Sequence, residues 1–328
     1  SNSGAKQNMK SVLLFVLLVV NAFAFTEFEY QSAFTFWMQQ YQKSYSHEEF
    51  QHRYRTFRSN MDFIEQNNKA NKGYTVAMNQ FGDLTSSEFA NVFLGTRIRV
   101  PTVPVVPTAR VAAPVSWDWR TKGAVTAIKN QGQCGSCWSF STTGSTEGCH
   151  FLTTNKLVSL SEQNLMDCST SQGNQGCDGG LMTQAMDYII SNKGIDTEAS
   201  YPYTAQDGTC HYNPANSGAT LKSYVNVNSG DENDLLAKAA MGPTSVAIDA
   251  SQNSFQFYSS GVYNESACST SQLDHGVLVV GWGVYSGTPY WLVKNSWGTS
   301  WGLSGYIMMS RNAGNQCGIA TMATLPQC

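Results

Sequence analysis

A cysteine at the expected start of a helix is the residue best placed to act as a nucleophile. Cys137 lies in the stretch QGQCGSCWSFS, residues 131–141, where Gly132 and Gly135 permit a tight turn. From residue 138 to 152 the apolar pattern becomes helical. Because the positive end of a helix dipole favours the charged form of a thiol, we expect Cys137 to be a reactive thiolate.

A histidine and an asparagine further along the chain could complete such a site. His275 lies 138 residues after Cys137, and a glycine and an apolar run follow it, which predicts an imidazole at the start of a strand. Asn295 opens the motif NSWG, 158 residues after Cys137. Its side-chain oxygen could hold an imidazole in one tautomer. The other four histidines fit structural or solvated roles: His47, His52, His150 and His211.

These separated motifs together resemble the papain family of cysteine peptidases, and most closely its cathepsin L-like branch. The resemblance covers nearly the whole chain after about residue 25. It implies a thiol-dependent endopeptidase, in which Cys137 is the nucleophile, His275 the base and acid, and Asn295 the group that orients the imidazole. Gln131 would donate a hydrogen bond to the oxyanion. The resemblance implies neither a cofactor nor a metal.

The same resemblance implies a set of substrate-binding residues. Enzymes of this family select substrates mainly by the residue two before the scissile bond, and the matching pocket is apolar here. In relatives that accept arginine, an acidic residue stands at the position of Met322, so we expect an apolar preference. The pocket positions are Leu181, Met182, Ala247, Leu273 and Met322. The other matching cleft positions are Gly179, Gly180, Asp274 and Trp297.

Other functions fit the sequence less well. Cys134 and Cys137 form a C-x-x-C pair, which is typical of redox or zinc sites, but no second pair completes a four-ligand zinc site. A catalytically inactive member serving as a binding protein would have lost the nucleophile, which is present. An exopeptidase of the cathepsin B type carries a histidine-rich insert, and residues 178–209 contain no histidine.

Composition indicates a globular, extracytosolic protein. The chain has 328 residues, of which 41% are hydrophobic and 13% charged, and its net charge of −3 gives no reason to expect nucleic-acid binding. Nine cysteines indicate an oxidising compartment, and their odd number leaves at least one thiol unpaired within a monomer. The resemblance implies the pairs Cys134–Cys177, Cys168–Cys210 and Cys268–Cys317. Cys149 and Cys328 match no common family pair; they could bond each other, stay free, or link two chains through Cys328.

The chain divides into three segments. Residues 1–24 contain a basic residue, a short apolar run and an A-x-A end, which predicts a secretory signal peptide, with Met9 as the start. A buried N-terminal helix is the alternative. Residues 25–112 resemble an inhibitory prosegment, and residues 113–328 the mature peptidase. The mature part is expected to have a helical lobe, mainly 122–222, and a β-barrel-like lobe, mainly 223–328.

The prosegment carries two recognisable motifs. Six residues recur every three or four positions on one face of a long predicted helix and match the interlocking helix motif of papain-family prosegments: Glu49, Arg53, Phe57, Asn60, Ile64 and Asn68. A second motif ends in residues 79–83, and Ala77 stands where the family usually has glycine. Residues 97–114 contain four prolines and read as an extended linker.

The expected fold is therefore α+β: a papain-like, two-lobed domain with a cleft between the lobes, preceded by a helical prosegment. Expected partners are protein and peptide substrates, the chain's own prosegment as inhibitor, and cystatin-like inhibitors, with no nucleic acid and no membrane after signal removal. We expect a monomer that is secreted or resides in a lysosome-like acidic compartment. Asn264, in the sequon NES, is the expected glycosylation site.

Overall fold

The computed structural model describes residues 25–96, 98–99 and 112–328. The predicted signal peptide and most of the predicted linker lie outside these residues. Two compact units are present, the first ending at Lys43 and the second running Ser44–Cys328. The first contains helix α1 (Glu27–Gln40), whose first turn is fixed by a capping box between Thr26 and Glu29. Among the described residues no helix is long and apolar enough to cross a bilayer.

The helices of the second unit include the ones that the sequence predicts. The Ser161 hydroxyl accepts a hydrogen bond from the Asn164 N–H at 2.9 Å and so caps the start of a helix. The helices are α2 (His47–Lys69), α3 (Ser86–Phe93), α4 (Cys137–Thr154), α5 (Glu162–Cys168), α6 (Met182–Asn192), α7 (Glu232–Ala239) and α8 (Asn253–Gln256).

The strand predicted to begin at His275 is present. The strands nearest the site are β7 (Thr244–Ile248), β9 (Gln272–Leu273), β10 (His275–Tyr285) and β11 (Thr288–Lys294). The others are β1 (Tyr74–Val76), β2 (Ile98–Arg99), β3 (Trp117–Asp118), β4 (Ile195–Asp196), β5 (Ser217–Ala219), β6 (Ser223–Asn226), β8 (Tyr258–Tyr263), β12 (Tyr306–Ser310) and β13 (Met322–Gln327).

The main sheet is open. Its strands are hydrogen-bonded in the order β1-β8-β12-β11-β10-β7-β13-β6, with β3 also paired to β10. Within the described residues the two end strands, β1 and β6, do not pair, so the barrel-like lobe expected from the sequence is a sheet without closure. Strand β1 comes from the prosegment region and β3 from the expected mature N-terminus. The β half therefore recruits strands from well outside residues 223–328.

Helix α4 is buried against this sheet over most of its length. All residues from Cys137 to Gly148 are buried. A side chain at Gly144 would place its Cβ 2.7 Å from Leu278, and one at Gly148 would place it 2.6 Å from Pro243. Glycine at these positions thus allows the helix to approach the sheet closely, which holds the N-terminus of α4 against the start of β10.

The polar face of α2 binds residues in and just after the second prosegment motif. Arg53 bonds to Glu88 at 2.8 Å, and the Asn60 amide donates to the carbonyls of Gly82 and Leu84. Asn68 donates to the Val76 carbonyl and accepts from its N–H, which fixes β1 beside the helix. At Ala77, where the family usually has glycine, the backbone N–H pairs with the Phe257 carbonyl at 2.8 Å.

Four disulfides join the cysteines of the second unit. The three pairs implied by the family resemblance are present: Cys134–Cys177, Cys168–Cys210 and Cys268–Cys317. Of the alternatives open for the remaining pair, the structure has Cys149 bonded to Cys328. Cys137 is the free cysteine of the described chain, and it is buried.

Candidate active site

Cys137 is the first residue of α4 and lies directly beside the start of β10. Its Sγ accepts a hydrogen bond from the Gly276 N–H at 3.4 Å and contacts the Thr96 hydroxyl at 3.6 Å. The side chain has no measurable exposure. The helix N-terminus and these donors stabilise negative charge on sulfur, so the local geometry suits a nucleophilic thiol.

The imidazole of His275 is held between an amide and an indole. His275 is the first residue of β10, and its Nε2 lies 2.8 Å from Asn295 Oδ1. The ring stacks on Trp297, with centroids 4.6 Å apart and an interplanar angle of 28°. Nδ1 has no hydrogen-bond partner among the described residues. With Nε2 committed to the amide oxygen, Nδ1 is the nitrogen left to exchange a proton.

Burial shifts the pKa values of the two reactive groups in the directions that favour their neutral forms. Burial raises the pKa of the Cys137 thiol despite the N–H groups that point at it, and it lowers the pKa of His275 to about 4. The neighbouring carboxyl of Asp274 is half-buried, and its desolvation raises its pKa to about 7. The expectation of a reactive thiolate stays a prediction, because in this covered state burial opposes the charged form of Cys137 while the surrounding N–H groups favour it.

Gln131 lies in the site, but its donor hydrogens are engaged. Its Nε2 donates to the carbonyl of Phe93 at 3.1 Å and to that of Cys134 at 2.8 Å. Its Oε1 accepts from the Ser296 hydroxyl and the Trp297 indole. The amide is thus fixed by the two residues that follow Asn295, and one of its donor hydrogens is directed at the Phe93 carbonyl of the prosegment region.

A short prosegment stretch crosses the site next to the thiol. The Thr96 N–H donates to the Asp274 carbonyl at 2.9 Å, and the Gly95 carbonyl accepts from the Gly180 N–H at 3.0 Å. A Cβ on Gly95 would lie 1.6 Å from the Gly135 oxygen, and one on Gly179 would lie 2.3 Å from the Gly95 oxygen. Only glycine fits at positions 95 and 179. Four of the residues predicted for the site contact this stretch: Cys137, Gly179, Gly180 and Asp274.

An aromatic cluster of the prosegment region covers the other side of the site. The rings of Phe81 and Phe89 meet Trp297 edge-on, with centroids 5.6 and 5.1 Å apart, and Phe93 also contacts it at 6.5 Å. The Gln80 amide donates to the Trp297 carbonyl at 2.8 Å. Trp297 therefore packs on His275 with one face while prosegment aromatics shield its edges from water.

Four of the five residues predicted to line the apolar pocket pack together. Met182, Ala247 and Leu273 are buried in one cluster, and Met322 packs against it. Ile98 packs on the same cluster, since β2 pairs with β9 and sets Ile98 opposite Leu273. Leu181 is not a member of the cluster; it is half-buried and its N–H donates to Asn174 at 2.8 Å. The expected glycosylation position, Asn264, is exposed.

Sequence reasoning missed the prosegment residues that enter the site. Phe93, Gly95 and Thr96 lie between a short helix and a proline-rich stretch, and no periodicity distinguishes them. Missed too was Glu265, which accepts hydrogen bonds from Tyr74 at 2.8 Å and Lys72 at 3.2 Å across the β1–β8 pairing. A glycine that precedes the linker was the one available signal for a close backbone approach.

The chain is similar to known proteins over most of its length. Residues 113–327 match the family described as papain family cysteine protease, and residues 34–89 match the cathepsin propeptide inhibitor domain. Cysteine proteinase 5 of Dictyostelium discoideum is 52% identical over 95% of this chain and 98% of its own. A cathepsin L-like peptidase of Aedes aegypti is 48% identical over 97% of this chain and 99% of its own.

A solved structure extends the likeness to three dimensions. Digestive procathepsin L 3 from the larval midgut of Tenebrio molitor superposes with a TM-score of 0.82 at 45% identity, covering 91% of this chain and 99% of that one. The α+β fold with a helical prosegment is thus the one expected from the sequence. The chain belongs to the papain family of cysteine proteases and carries that family's propeptide inhibitor domain.

Proposed function

We propose that this cysteine protease is an endopeptidase, made as an inactive precursor, that cleaves through a Cys137–His275 acyl-enzyme and prefers an apolar residue two before the scissile bond. The observation that carries the proposal is the 2.8 Å contact between His275 Nε2 and Asn295 Oδ1. It leaves Nδ1 available on an imidazole whose neighbour, Gly276, donates to the Cys137 sulfur.

In this mechanism His275 takes the thiol proton, and the Cys137 sulfur attacks the peptide carbonyl. The Gln131 amide and the Cys137 N–H donate to the oxyanion. His275 then protonates the leaving amine, and water hydrolyses the thioester with His275 as base. Asn295 keeps one imidazole tautomer throughout. The donor hydrogen of Gln131 that now binds the Phe93 carbonyl becomes available once the prosegment leaves.

The prosegment, residues 25–112, acts as inhibitor by using the contacts that a substrate would need. Support comes from the Gly95 carbonyl on the Gly180 N–H, the Thr96 N–H on the Asp274 carbonyl, and the Phe93 carbonyl on Gln131. Ile98 packs where the substrate's apolar side chain would bind. Removal of the prosegment near residue 113 yields the mature enzyme, which acts outside the cytosol or in an acidic compartment.

The test is the hydrolysis of fluorogenic peptides by the Cys137→Ala variant, with the prosegment removed by added pepsin where self-processing fails. We expect loss of activity by on the order of 10³-fold or more, as for other nucleophile deletions. Thr153→Ala, an exposed change on the same helix, is the control and should keep full activity. Comparable turnover by folded Cys137→Ala would overturn the nucleophile assignment, and products from chain ends alone would overturn the endopeptidase assignment.

A further inference from the structure

A small cavity lies beneath the active-site asparagine. It measures about 20 Å³ and is lined partly by the groups that flank the site, Gly276, Asn295 and Ser296. Its other wall is formed by α4, by α5 and by a buried ionic cluster, consisting of Lys129, Glu147, Glu162 and Lys294. A space of this size holds one water molecule, provided that polar partners are present.

Two side chains that line this cavity carry buried polar atoms without a hydrogen-bond partner among the described residues. They are Asn295, through Nδ2, and Glu162, through Oε2. Asn295 is 3% exposed and Glu162 is fully buried. One atom is a donor and the other an acceptor. Buried polar groups are rarely left unpaired, since each costs the full penalty of desolvation.

The remaining polar side chains of the cavity wall are already paired. Lys129 donates to Glu147, Glu162 and the Leu160 carbonyl, which uses its three hydrogens. The Ser296 hydroxyl donates to Gln131. Four further side chains of the wall also have partners: Ser141, Thr143, Glu147 and Lys294. Among the described residues, Glu162 Oε2 and Asn295 Nδ2 are therefore the buried side-chain atoms of this wall that lack a partner.

We propose that this cavity is a water-binding site, in which one buried water accepts from Asn295 Nδ2 and donates to Glu162 Oε2. The Asn295 amide has an oxygen end and a nitrogen end, and its Oδ1 already accepts hydrogen bonds from His275 and from the Ser296 N–H. The water binds the nitrogen end, so the amide is fixed at both ends. Asn295 is thereby tied to the ionic cluster that spans α4, α5 and β11, and the imidazole is positioned by the protein interior.

A high-resolution crystal structure of the full precursor tests the site without reference to activity. We expect one density peak in the cavity at about 2.7–3.2 Å from both Asn295 Nδ2 and Glu162 Oε2. A cavity without density, or a water that contacts only one of the two atoms, overturns the proposal. This result stands whether or not the proposed endopeptidase mechanism is right.

The positioning role, which rests on the proposed function, is tested with Val277→Ile. Val277 lines the cavity, and the added methyl group should displace the water. We expect kcat to fall roughly tenfold, the effect of one buried donor left unpaired, while KM stays within about twofold. Val279→Ile, on the same strand and outside the cavity wall, is the matched control. The positioning role is overturned if the water density is lost in Val277→Ile and the two variants nevertheless have equal kcat.

Discussion

At the scale of single residues, Met322 should decide which substrates the enzyme accepts. It pairs with Ala247 across the β13–β7 ladder and packs on the cluster that contains Leu273. A cation in this apolar pocket would be desolvated without a countercharge, which costs several kcal/mol, whereas a leucine or phenylalanine gains roughly 1.5–3 kcal/mol by burial. We expect leucine or phenylalanine to exceed arginine at least about tenfold in kcat/KM, measured with a fluorogenic dipeptide series.

The companion change is Met322→Glu, which places a carboxylate in the pocket. It should raise the acceptance of arginine at pH values above the pKa of the new carboxyl group and should leave leucine substrates no better than before. Ile98→Ala serves as a control, because it alters the prosegment and not the mature pocket. Equal or better cleavage of arginine substrates by the unmodified enzyme would show that the pocket is misassigned.

Gly95 is the residue on which the inhibitory crossing depends. A Cβ at this position would lie 1.6 Å from the Gly135 oxygen, a backbone atom that cannot move aside. We expect Gly95→Ala to lift the prosegment from the thiol, so that Cys137 in the neutral-pH precursor is alkylated by iodoacetamide at least about tenfold faster. Ser87→Ala, exposed on α3, is the control. Unchanged alkylation would mean that Gly95 does not set the closure.

The site residues were predictable where the chemistry is local to a motif. Each of the three residues stands in a short sequence pattern: Cys137 follows a glycine-rich turn, His275 precedes an apolar strand, and Asn295 opens the NSWG motif. The bond from Gln131 to the Phe93 carbonyl and the contact of Thr96 with the Cys137 sulfur could not be predicted, because Phe93 and Thr96 approach from more than 30 residues away in sequence.

At the scale of elements, prediction succeeded for segments with a strong pattern of their own and missed some short strands. Helices α2 and α4 and strand β10 have strong patterns of their own. Strand β1 has three residues, and β13 contains Pro326 within mixed small residues. Such strands form because they pair with the edge of a neighbouring strand, and a local sequence pattern does not indicate that pairing. The open order of the sheet, with β1 at its edge, follows from those pairings.

The pairing of β1 with β8 should respond to acid. Burial would raise the pKa of Glu265, but hydrogen bonds from Tyr74, Lys72, the Ala267 N–H and Ser254 outweigh it and leave the pKa below its usual value. A carboxyl whose pKa is lowered stabilises the bound state above its ordinary pKa, and that contribution is lost as pH falls through the lowered value. We therefore expect prosegment release to begin as the pH drops below about 4.5.

Glu265→Gln removes this contribution at neutral pH. The midpoint of release, followed by the reaction of Cys137 with 2,2′-dipyridyl disulfide, should move upward by about one pH unit. Glu48→Gln, an exposed prosegment carboxyl, is the control and should leave the midpoint in place. A midpoint for Glu265→Gln that matches the control would remove Glu265 from the acid response and leave other carboxyls, such as Glu88, to explain it.

At the scale of the whole molecule, one covalent link joins the chain's end to the helix that begins with the nucleophile. Cys149 lies on α4 and bonds to Cys328, a separation of 179 residues. The link holds β13, which carries Met322, against the helical half. Cross-links over long segments restrict the unfolded chain, and removal of a native disulfide typically costs about 2–5 kcal/mol.

We therefore expect the double variant Cys149→Ser/Cys328→Ser to unfold at lower urea concentration than the unmodified protein. The double change is preferable to a single one, because a lone Cys328 could link two chains. Cys149 lies 12 residues along the helix from Cys137, about 18 Å away, so kcat measured below the transition should stay within about twofold. An unchanged urea midpoint would mean that the packing of α4 on the sheet holds β13 without the disulfide.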